Sequence, residues 1–262
     1  MKKICCITLL GVVLFSCTKQ DAPSDDQQIP GDILSAIERS GFSREGVMKD
    51  DGGYIVEGDI FLSDEDLRVG SKWSTVTVAE TEQYHTTNTV SVGATRTIKI
   101  SLSSRFPGSY VAGLDEAVSR FNAENLSLKF QRVSSGADIS IVVGNGSYIA
   151  SAGFPSSNGD PYSQVKLNSR YLGSNPGTDF LATIIAHEVG HCIGYRHTDY
   201  MNRSYSCGGS AYNEGASSVG AVHIPGTPTG PDAKSWMLSC ISRGENRPFN
   251  NNDKTALSYL YQ

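Results

Sequence analysis

The chain has 262 residues, a formal net charge of −5 at pH 7 and a sequence pI of about 5.5. This acidic composition contains no basic run or stripe, which excludes a nucleic-acid-binding protein and therefore a nucleic-acid partner. Beyond the first 15 residues, no stretch approaches the roughly 20 consecutive apolar residues of a transmembrane helix, which excludes a protein that spans a membrane.

The N-terminus is typical of an export signal followed by a tether. Two lysines precede an apolar run over residues 4–15, which is too short to span a bilayer but suits the core of a signal peptide. Ser16-Cys17 resembles the end of the lipobox of bacterial lipoproteins, and an ordinary secretory signal is the alternative. The resemblance implies that residues 1–16 are removed and that Cys17 carries a lipid. The protein would then be exported to the bacterial outer membrane or cell surface, with the lipid as its only membrane anchor. Residues 17–28 are polar and predict a flexible tether.

Residues 29–94 predict a small N-terminal segment and a connector, which together are a candidate prosegment. Apolar residues at helical spacing predict a helix over residues 33–40, and alternation predicts a strand over Tyr54 to Leu62. Residues 71–94 are rich in Thr, Ser, Val and Gly and predict a partly extended connector.

The main domain is predicted to cover residues 95–262 and to contain strands and helices in alternation. An amphipathic helix is predicted over residues 110–123 and a longer one over residues 180–194. Four strands are predicted, and they are Thr97–Leu102, Leu126–Phe130, Ile139–Val143 and Gln164–Leu167. The turn-rich residues 144–160 separate the last two. This order predicts an α/β (α+β) fold in which a twisted mixed sheet packs on the two helices.

The segment from His187 to His197 has the sequence HEVGHCIGYRH. His187 and His191 lie four residues apart, so a helix directs both imidazoles from one face toward a single ion. Glu188 lies about 100° around the helix axis from His187. There it can take a proton from a metal-bound water.

Gly194 is predicted to end this helix in the left-handed conformation, and the resulting chain reversal can bring His197 to the same ion. Three neutral imidazoles and one water form an open zinc site of the catalytic kind. A third histidine at this spacing, with glycine at the turn, makes a chance match a poor explanation. We therefore predict that His187, His191 and His197 bind one catalytic zinc ion and that Glu188 is the general base.

This stretch matches HExxHxxGxxH, the long zinc motif of the metzincin clan of metallopeptidases. Metzincins have a Met-turn below the metal, and Met237 fits this position, forty residues after His197. The later Cys-Gly-Gly and His-Ile-Pro-Gly-Thr-Pro segments look like the bacterial dual-action HEIGH metallopeptidases. This chain has Val189 where the eponymous motif has isoleucine. The resemblance covers residues 95–262.

The resemblance implies a metzincin-like catalytic domain with one zinc ion in a cleft and with proteins or peptides as substrates. We expect a monomeric zinc metalloendopeptidase, and the sequence leaves room for a bound calcium ion. Two other functions stay open: a catalytically silent cell-surface binding protein on a metzincin scaffold, and a metallohydrolase of non-peptide amides. The presence of Glu188 and all three histidines argues against a silent protein.

Two acidic residues downstream are further candidates. Asn213-Glu214 with the following Ser217 resembles the Asn-Glu-x-x-Ser pattern of thermolysin-like enzymes, in which the glutamate is the third metal ligand on a second helix. Residues 198–213 lack an apolar helical face, so Glu214 is expected in a loop near the cleft and is the minor alternative ligand. Asp199 is expected either to accept a hydrogen bond from a ligand imidazole or to cap the next turn.

Cys192, Cys207 and Cys240 remain once the N-terminal cysteines are set aside, so at most one internal disulfide can form. Cys207 and Cys240 flank the variable loop between the third histidine and the Met-turn. We predict that these two pair, and a bond from Cys192 to either of them is the alternative.

Glu57-Gly58-Asp59 resembles the Gly-Asp of astacin prosegments, whose aspartate blocks the zinc. Asp59 is therefore a candidate zinc-blocking residue, because an aspartate carboxylate is a competent zinc ligand. The plainer interpretation is a Gly-Asp turn at the end of a strand, and we favour it.

Overall fold

The structure, a computed structural model, describes residues 29–69, 83–215, 220–228 and 230–262. The predictions for residues 1–28, with the lipidation of Cys17, lie outside the described residues, as does much of the predicted connector. Of the helices described, none is both long and apolar enough to cross a bilayer.

The strands of the described residues form one large sheet and one small sheet. They are β1 (Met48–Asp50), β2 (Gly53–Val56), β3 (Ile60–Ser63), β4 (Tyr84–His85), β5 (Arg96–Leu102), β6 (Leu128–Val133), β7 (Ile139–Val143), β8 (Ala150–Ala152), β9 (Gln164–Leu167) and β10 (Val222–His223). The large sheet has the order β1-β2-β3-β8-β9-β7-β5-β6, and β4 pairs with β10.

The helices of the described residues lie between these strands and at the C-terminal end. They are α1 (Gly31–Arg39), α2 (Asp64–Val69), α3 (Ser109–Ala123), α4 (Ser169–Leu172), α5 (Thr178–Ile193), α6 (Ser204–Cys207) and α7 (Asn251–Tyr261). A single 3-10 turn, Tyr200–Asn202, precedes α6.

The large sheet is mixed, and this confirms the predicted fold class. Strand β5 runs parallel to β6 and β7, and β7 runs parallel to β9, whereas β8 is antiparallel to β9. The predicted order of strands and helices from β5 to α5 is confirmed apart from two short elements that were not predicted, β8 in the turn-rich residues 144–160 and the helix α4. The strand predicted over residues 126–130 begins two residues later, at Leu128.

The single strand predicted over residues 54–62 is wrong. Residues 53–56 and 60–63 are two antiparallel strands of a hairpin, β2 and β3. The chain turns at Glu57 and Gly58, whose φ angles are +54° and +91°. The Gly-Asp turn favoured for Asp59 lies close to this reversal, but Glu57 is not a typical residue for positive φ, and the second strand of the hairpin was not predicted.

Strands β1, β2 and β3, which precede residue 95, belong to the same sheet as β5 to β9. Strand β3 pairs in parallel with β8 through Ile60 and Ala152. A small cluster with Ile55, Phe61 and Tyr148 buries the contact between the two parts of the chain. The division of the chain at residue 95 stays a prediction.

The main core lies between the sheet and the pair of helices α3 and α5. Leu181 of α5 is fully buried and lies where Gly113 of α3 leaves room for it, since a Cβ at Gly113 would be 2.6 Å from Leu181. Every residue of α5 from Phe180 to Ile193 is buried. A helix that is buried on all faces has a fixed position, and α5 carries the first part of the predicted metal site.

Leu181→Ala is expected to lower the free energy of unfolding by about 2–5 kcal/mol, because it leaves a cavity in a close-packed core. Tyr259→Ala, on the exposed face of α7, is the matched control and should change it by no more than about 0.5 kcal/mol. Urea denaturation at equal metal content measures both variants. Equal losses for the two variants would contradict the placement of the core.

Candidate metal centre

The chain reversal after α5 is made by Gly194. Its φ is +113°, and its N–H and that of Tyr195 both donate to the Gly190 carbonyl. A Cβ at this position would lie 3.1 Å from the Asn88 carbonyl oxygen, so glycine suits both the backbone angle and the space. The chain that returns after Gly194 is fixed by a hydrogen bond of 2.9 Å from the Arg196 N–H to the Tyr84 carbonyl.

This reversal brings His187, His191 and His197 together. The Nε2 atoms of His187 and His191 are 3.1 Å apart, and the three ring centroids are separated by 4.8 to 5.3 Å. Two nitrogens bound to one tetrahedral zinc at 2.0–2.1 Å would be about 3.4 Å apart. The histidines are at most 8% exposed. The cluster therefore fits a zinc ion in spacing, donor type and burial.

Each of the three rings uses its second nitrogen, Nδ1, for a hydrogen bond to an acceptor outside the cluster. His187 Nδ1 lies 2.9 Å from the Trp236 carbonyl, and His191 Nδ1 lies 2.8 Å from the Tyr195 carbonyl. His197 Nδ1 lies 3.0 Å from the carboxylate of Glu214. Because Nδ1 carries the proton in this arrangement, the Nε2 lone pair of each ring is directed at the point where the three rings meet, which is the candidate metal position.

The protonation of the cluster follows from burial and from nearby charge. Burial lowers the pKa of His191 well below its ordinary value, and the neighbouring histidines add to this effect. Burial alone would also lower the pKa of His197, but the carboxylates of Asp59 and Glu214 raise it well above the ordinary value. His191 is thus in the neutral form that a metal requires.

Glu188 is 3% exposed and shares a cavity of about 250 Å³ with His187 and Asp59. Its Oε2 atom accepts no hydrogen bond from any described residue. Burial and the Asp59 carboxylate raise the pKa of Glu188 well above its ordinary value. An unpartnered carboxylate with raised basicity beside the imidazoles is suited to accept a proton.

Asp59 lies at the histidine cluster, although the sequence favoured a plain turn. Its Oδ2 is 3.2 Å from His197 Nε2 and 3.5 Å from His187 Nε2. One ligand atom from Asp59 and one from each of the three histidines all lie within 4.8 Å of one another. Asp59 therefore completes a set of four candidate ligands.

Glu214 lies in a loop beside the histidine cluster, as expected, whereas the side chain of Asp199 makes neither of the two contacts expected of it. Glu214 contacts the Nδ1 side of His197, away from the candidate metal position, so it is not placed as the third ligand. Asp199 touches no ligand histidine through its side chain and makes no capping hydrogen bond; it accepts from Ser239 and Ser206 instead. Both earlier interpretations of Asp199 are therefore wrong.

Met237 lies directly beneath α5. It is fully buried, and a Cβ at Gly190 would be 2.6 Å from its sulfur and 2.7 Å from the Trp236 ring. The Met237 carbonyl accepts from the Thr198 N–H at 2.9 Å, which ties the turn to the residue after His197. Below the turn, Asp253 of α7 accepts from the Trp236 N–H and the Ser235 hydroxyl.

Cys207 and Cys240 form a disulfide in the structure, which is the pairing that the sequence favoured. Cys192 is a free, buried thiol on α5, and burial raises its pKa well above the ordinary value. A thiol in this state is not a nucleophile.

The sequence did not reveal the acceptors of the three rings. Two of them are the carbonyls of Trp236 and Tyr195, and a main-chain carbonyl leaves no signature in a sequence. The third is Glu214, which attracted notice only as an alternative ligand. Arg203 donates hydrogen bonds to Glu214 and to the Glu57 carbonyl, and nothing in the sequence pointed to it.

Comparisons with known proteins give a family and some distant structural likenesses. The family model described as dual-action HEIGH metallo-peptidase matches residues 54–261. No curated protein matches the chain. High choriolytic enzyme 1, a hatching enzyme zinc-protease from Oryzias latipes (medaka fish), is 19% identical with a TM-score of 0.42, over 72% of this chain and 98% of that one.

Two structures of myroilysin are also similar. One is 12% identical with a TM-score of 0.40, over 63% of this chain and 80% of that one. The other is 14% identical with a TM-score of 0.39, over 64% of this chain and 86% of that one.

The family match includes α5, the histidine cluster, Met237 and also the hairpin that carries Asp59. Because the family model spans most of the chain, the chain belongs to the dual-action HEIGH metallopeptidases and is a zinc-dependent metallopeptidase.

Proposed function

We propose that the protein is a zinc metalloendopeptidase that hydrolyses peptide bonds in proteins or peptides. In this proposal His187, His191 and His197 are the zinc ligands and Glu188 is the general base. The observation that carries it is the convergence of three buried imidazoles whose Nδ1 atoms are all engaged elsewhere. Such an arrangement leaves three nitrogen lone pairs for one ion.

A zinc ion held by these histidines supplies Lewis acidity, which activates a water and polarises the scissile carbonyl. Glu188 accepts the proton of the attacking water and then donates it to the amine of the leaving group. Its burial and its free Oε2 support this role, since both favour proton uptake. Met237 supports α5 from below and does not contact the reacting atoms in this scheme.

The silent binding protein is the second candidate, and Glu188 distinguishes the two. A binding scaffold has no need of a buried carboxylate without a partner, because such a group lowers stability. We therefore favour the enzyme.

Glu188→Ala is expected to keep one zinc ion per chain and to lose casein hydrolysis by at least about 100-fold, because only the proton transfer is removed. His197→Ala is expected to lose both the zinc and the activity. Metal analysis and a casein assay measure these outcomes, with Glu116→Ala on the outer side of α3 as the control. If Glu188→Ala and the parent cleave casein equally well, the assignment of the general base is wrong.

We further propose that Asp59 blocks the metal site in the full-length chain. A catalytic zinc site keeps an open position, whereas three histidines and one carboxylate give a closed, four-coordinate set. The position of the Asp59 carboxylate beside two Nε2 atoms supports this role. Arg203 supports it as well, since its guanidinium donates to the carbonyl of Glu57, two residues before Asp59.

Asp59→Ala is expected to hydrolyse casein several-fold faster than the parent, because removal of the carboxylate opens a position for water. Freshly purified full-length protein, checked by mass spectrometry for an intact N-terminal segment, is the sample for this rate measurement. Asp51→Ala, an exposed aspartate eight residues earlier on the same segment, is the control and should match the parent. A rate for Asp59→Ala no higher than that of the parent would exclude blocking.

Export with a lipid on Cys17 is also a proposal, and it rests on the apolar run and Ser16-Cys17 alone. We expect the wild-type protein from a bacterial host to partition into detergent and to incorporate labelled fatty acid. Cys17→Ala is expected to do neither. Equal labelling of both proteins would contradict the proposal.

A further inference from the structure

Glu214 is a buried carboxylate at the edge of the metal centre. It is 1% exposed, and its main-chain N–H is fixed by a hydrogen bond of 2.7 Å to the Tyr200 carbonyl. Its carboxylate oxygens lie 3.0 and 3.1 Å from His197 Nδ1. Arg203 and the Ser239 hydroxyl also donate to Oε1, at 3.0 and 3.2 Å.

The three candidate ligands differ in the acceptor that holds them. His187 and His191 donate to neutral main-chain carbonyls, whereas His197 donates to a charged side chain. A carboxylate is the stronger acceptor, and it also raises the basicity of the ring nitrogen on the metal side. His197 also lies outside α5, so the helix does not fix the orientation of its ring.

We infer that Glu214 is a positioning residue of the metal centre. It holds the ring of His197 in the orientation and tautomer that direct Nε2 at the metal. This inference rests on the ligand role proposed above for His197. It assigns Glu214 a function through its contact with Nδ1, and no direct contact with the metal.

A second metal between Glu57, His197 and Glu214 is the competing explanation, since these three groups also lie close together. Each of the two carboxylates in this group already pairs with a guanidinium group. Arg196 lies 3.3 Å from Glu57 Oε2, and Arg203 lies 3.0 Å from Glu214 Oε1. These positive charges balance the buried carboxylates and oppose an added cation.

The test is the zinc affinity of full-length Glu214→Gln, measured by competition with a chelator. The matched control is Asp199→Asn, since Asp199 is a buried carboxylate that, like Glu214, accepts from Ser239 but contacts none of the three histidines through its side chain. Arg203 connects Glu214 to the Glu57 carbonyl, so a change at Glu214 could also move Asp59. All proteins therefore also carry Asp59→Ala, which removes any effect of the Asp59 carboxylate on zinc affinity.

Glu214→Gln is expected to bind zinc about 10 to 100 times more weakly than its parent, because outer acceptors of ligand histidines have effects of this size. The visible absorption bands of the cobalt(II) form should shift, since the field of the His197 ligand changes. Asp199→Asn should bind zinc as its parent does. Circular dichroism of the metal-free proteins shows whether they are folded. If Glu214→Gln is unfolded, Glu214→Asp replaces it, since it draws the carboxylate away from Nδ1 and is expected to weaken zinc binding as well.

Unchanged zinc affinity and an unchanged cobalt spectrum in the folded Glu214 variant would overturn the inference. A loss of zinc as complete as that of His197→Ala would also overturn it, because Glu214 would then be a ligand. If His197→Ala itself binds zinc as tightly as the parent, the ligand assignment under the proposed function is what fails.

Discussion

The left-handed backbone of Gly194 is the constraint on which the metal centre depends. It ends α5 and reverses the chain within one residue, so that His197 meets the two histidines of the helix. The same reversal places the Tyr195 carbonyl 2.8 Å from His191 Nδ1. It also brings Tyr195 beside β4, where it forms a bridge with His85. One backbone angle therefore fixes the position of His197, the acceptor of His191 and the edge of the small sheet.

Close packing converts this local geometry into a fixed site. Gly190 leaves no side chain between α5 and the turn at Met237, so Met237 and Trp236 lie against the helix backbone. Trp236 packs edge-on against Phe121 and Phe249, which joins the turn to α3 and to the C-terminal part of the chain. Since a packed interior resists small displacements, the carbonyl of Trp236 is held where His187 needs an acceptor.

The sequence was informative where one local pattern determines the structure. The spacing of His187, His191, Gly194 and His197 predicts a helix, its end and the return of the third histidine toward the first two, and these features are set by the local sequence. The α3 helix and the strands β5, β7 and β9 were also predictable from their periodicity. The hairpin of β2 and β3 was predicted only in part: a Gly-Asp turn was favoured at Asp59, but the turn uses Glu57 at positive φ and the second strand was not predicted. Glu214 and Arg203 meet His197 and Glu57 through loops, whose course no periodic pattern records.

The disulfide between Cys207 and Cys240 has a consequence for the unfolded chain. It closes a loop across a sequence separation of 33 residues, and this loop carries Glu214 and Met237. Closing a loop of this length removes conformational entropy from the unfolded state worth about 4 kcal/mol at 25 °C. Much of this stretch has no regular secondary structure in the described residues, so few helical or sheet hydrogen bonds stabilise it. Glu214, which contacts His197, therefore lies in a loop whose closure depends on the redox state of the compartment in which the protein folds.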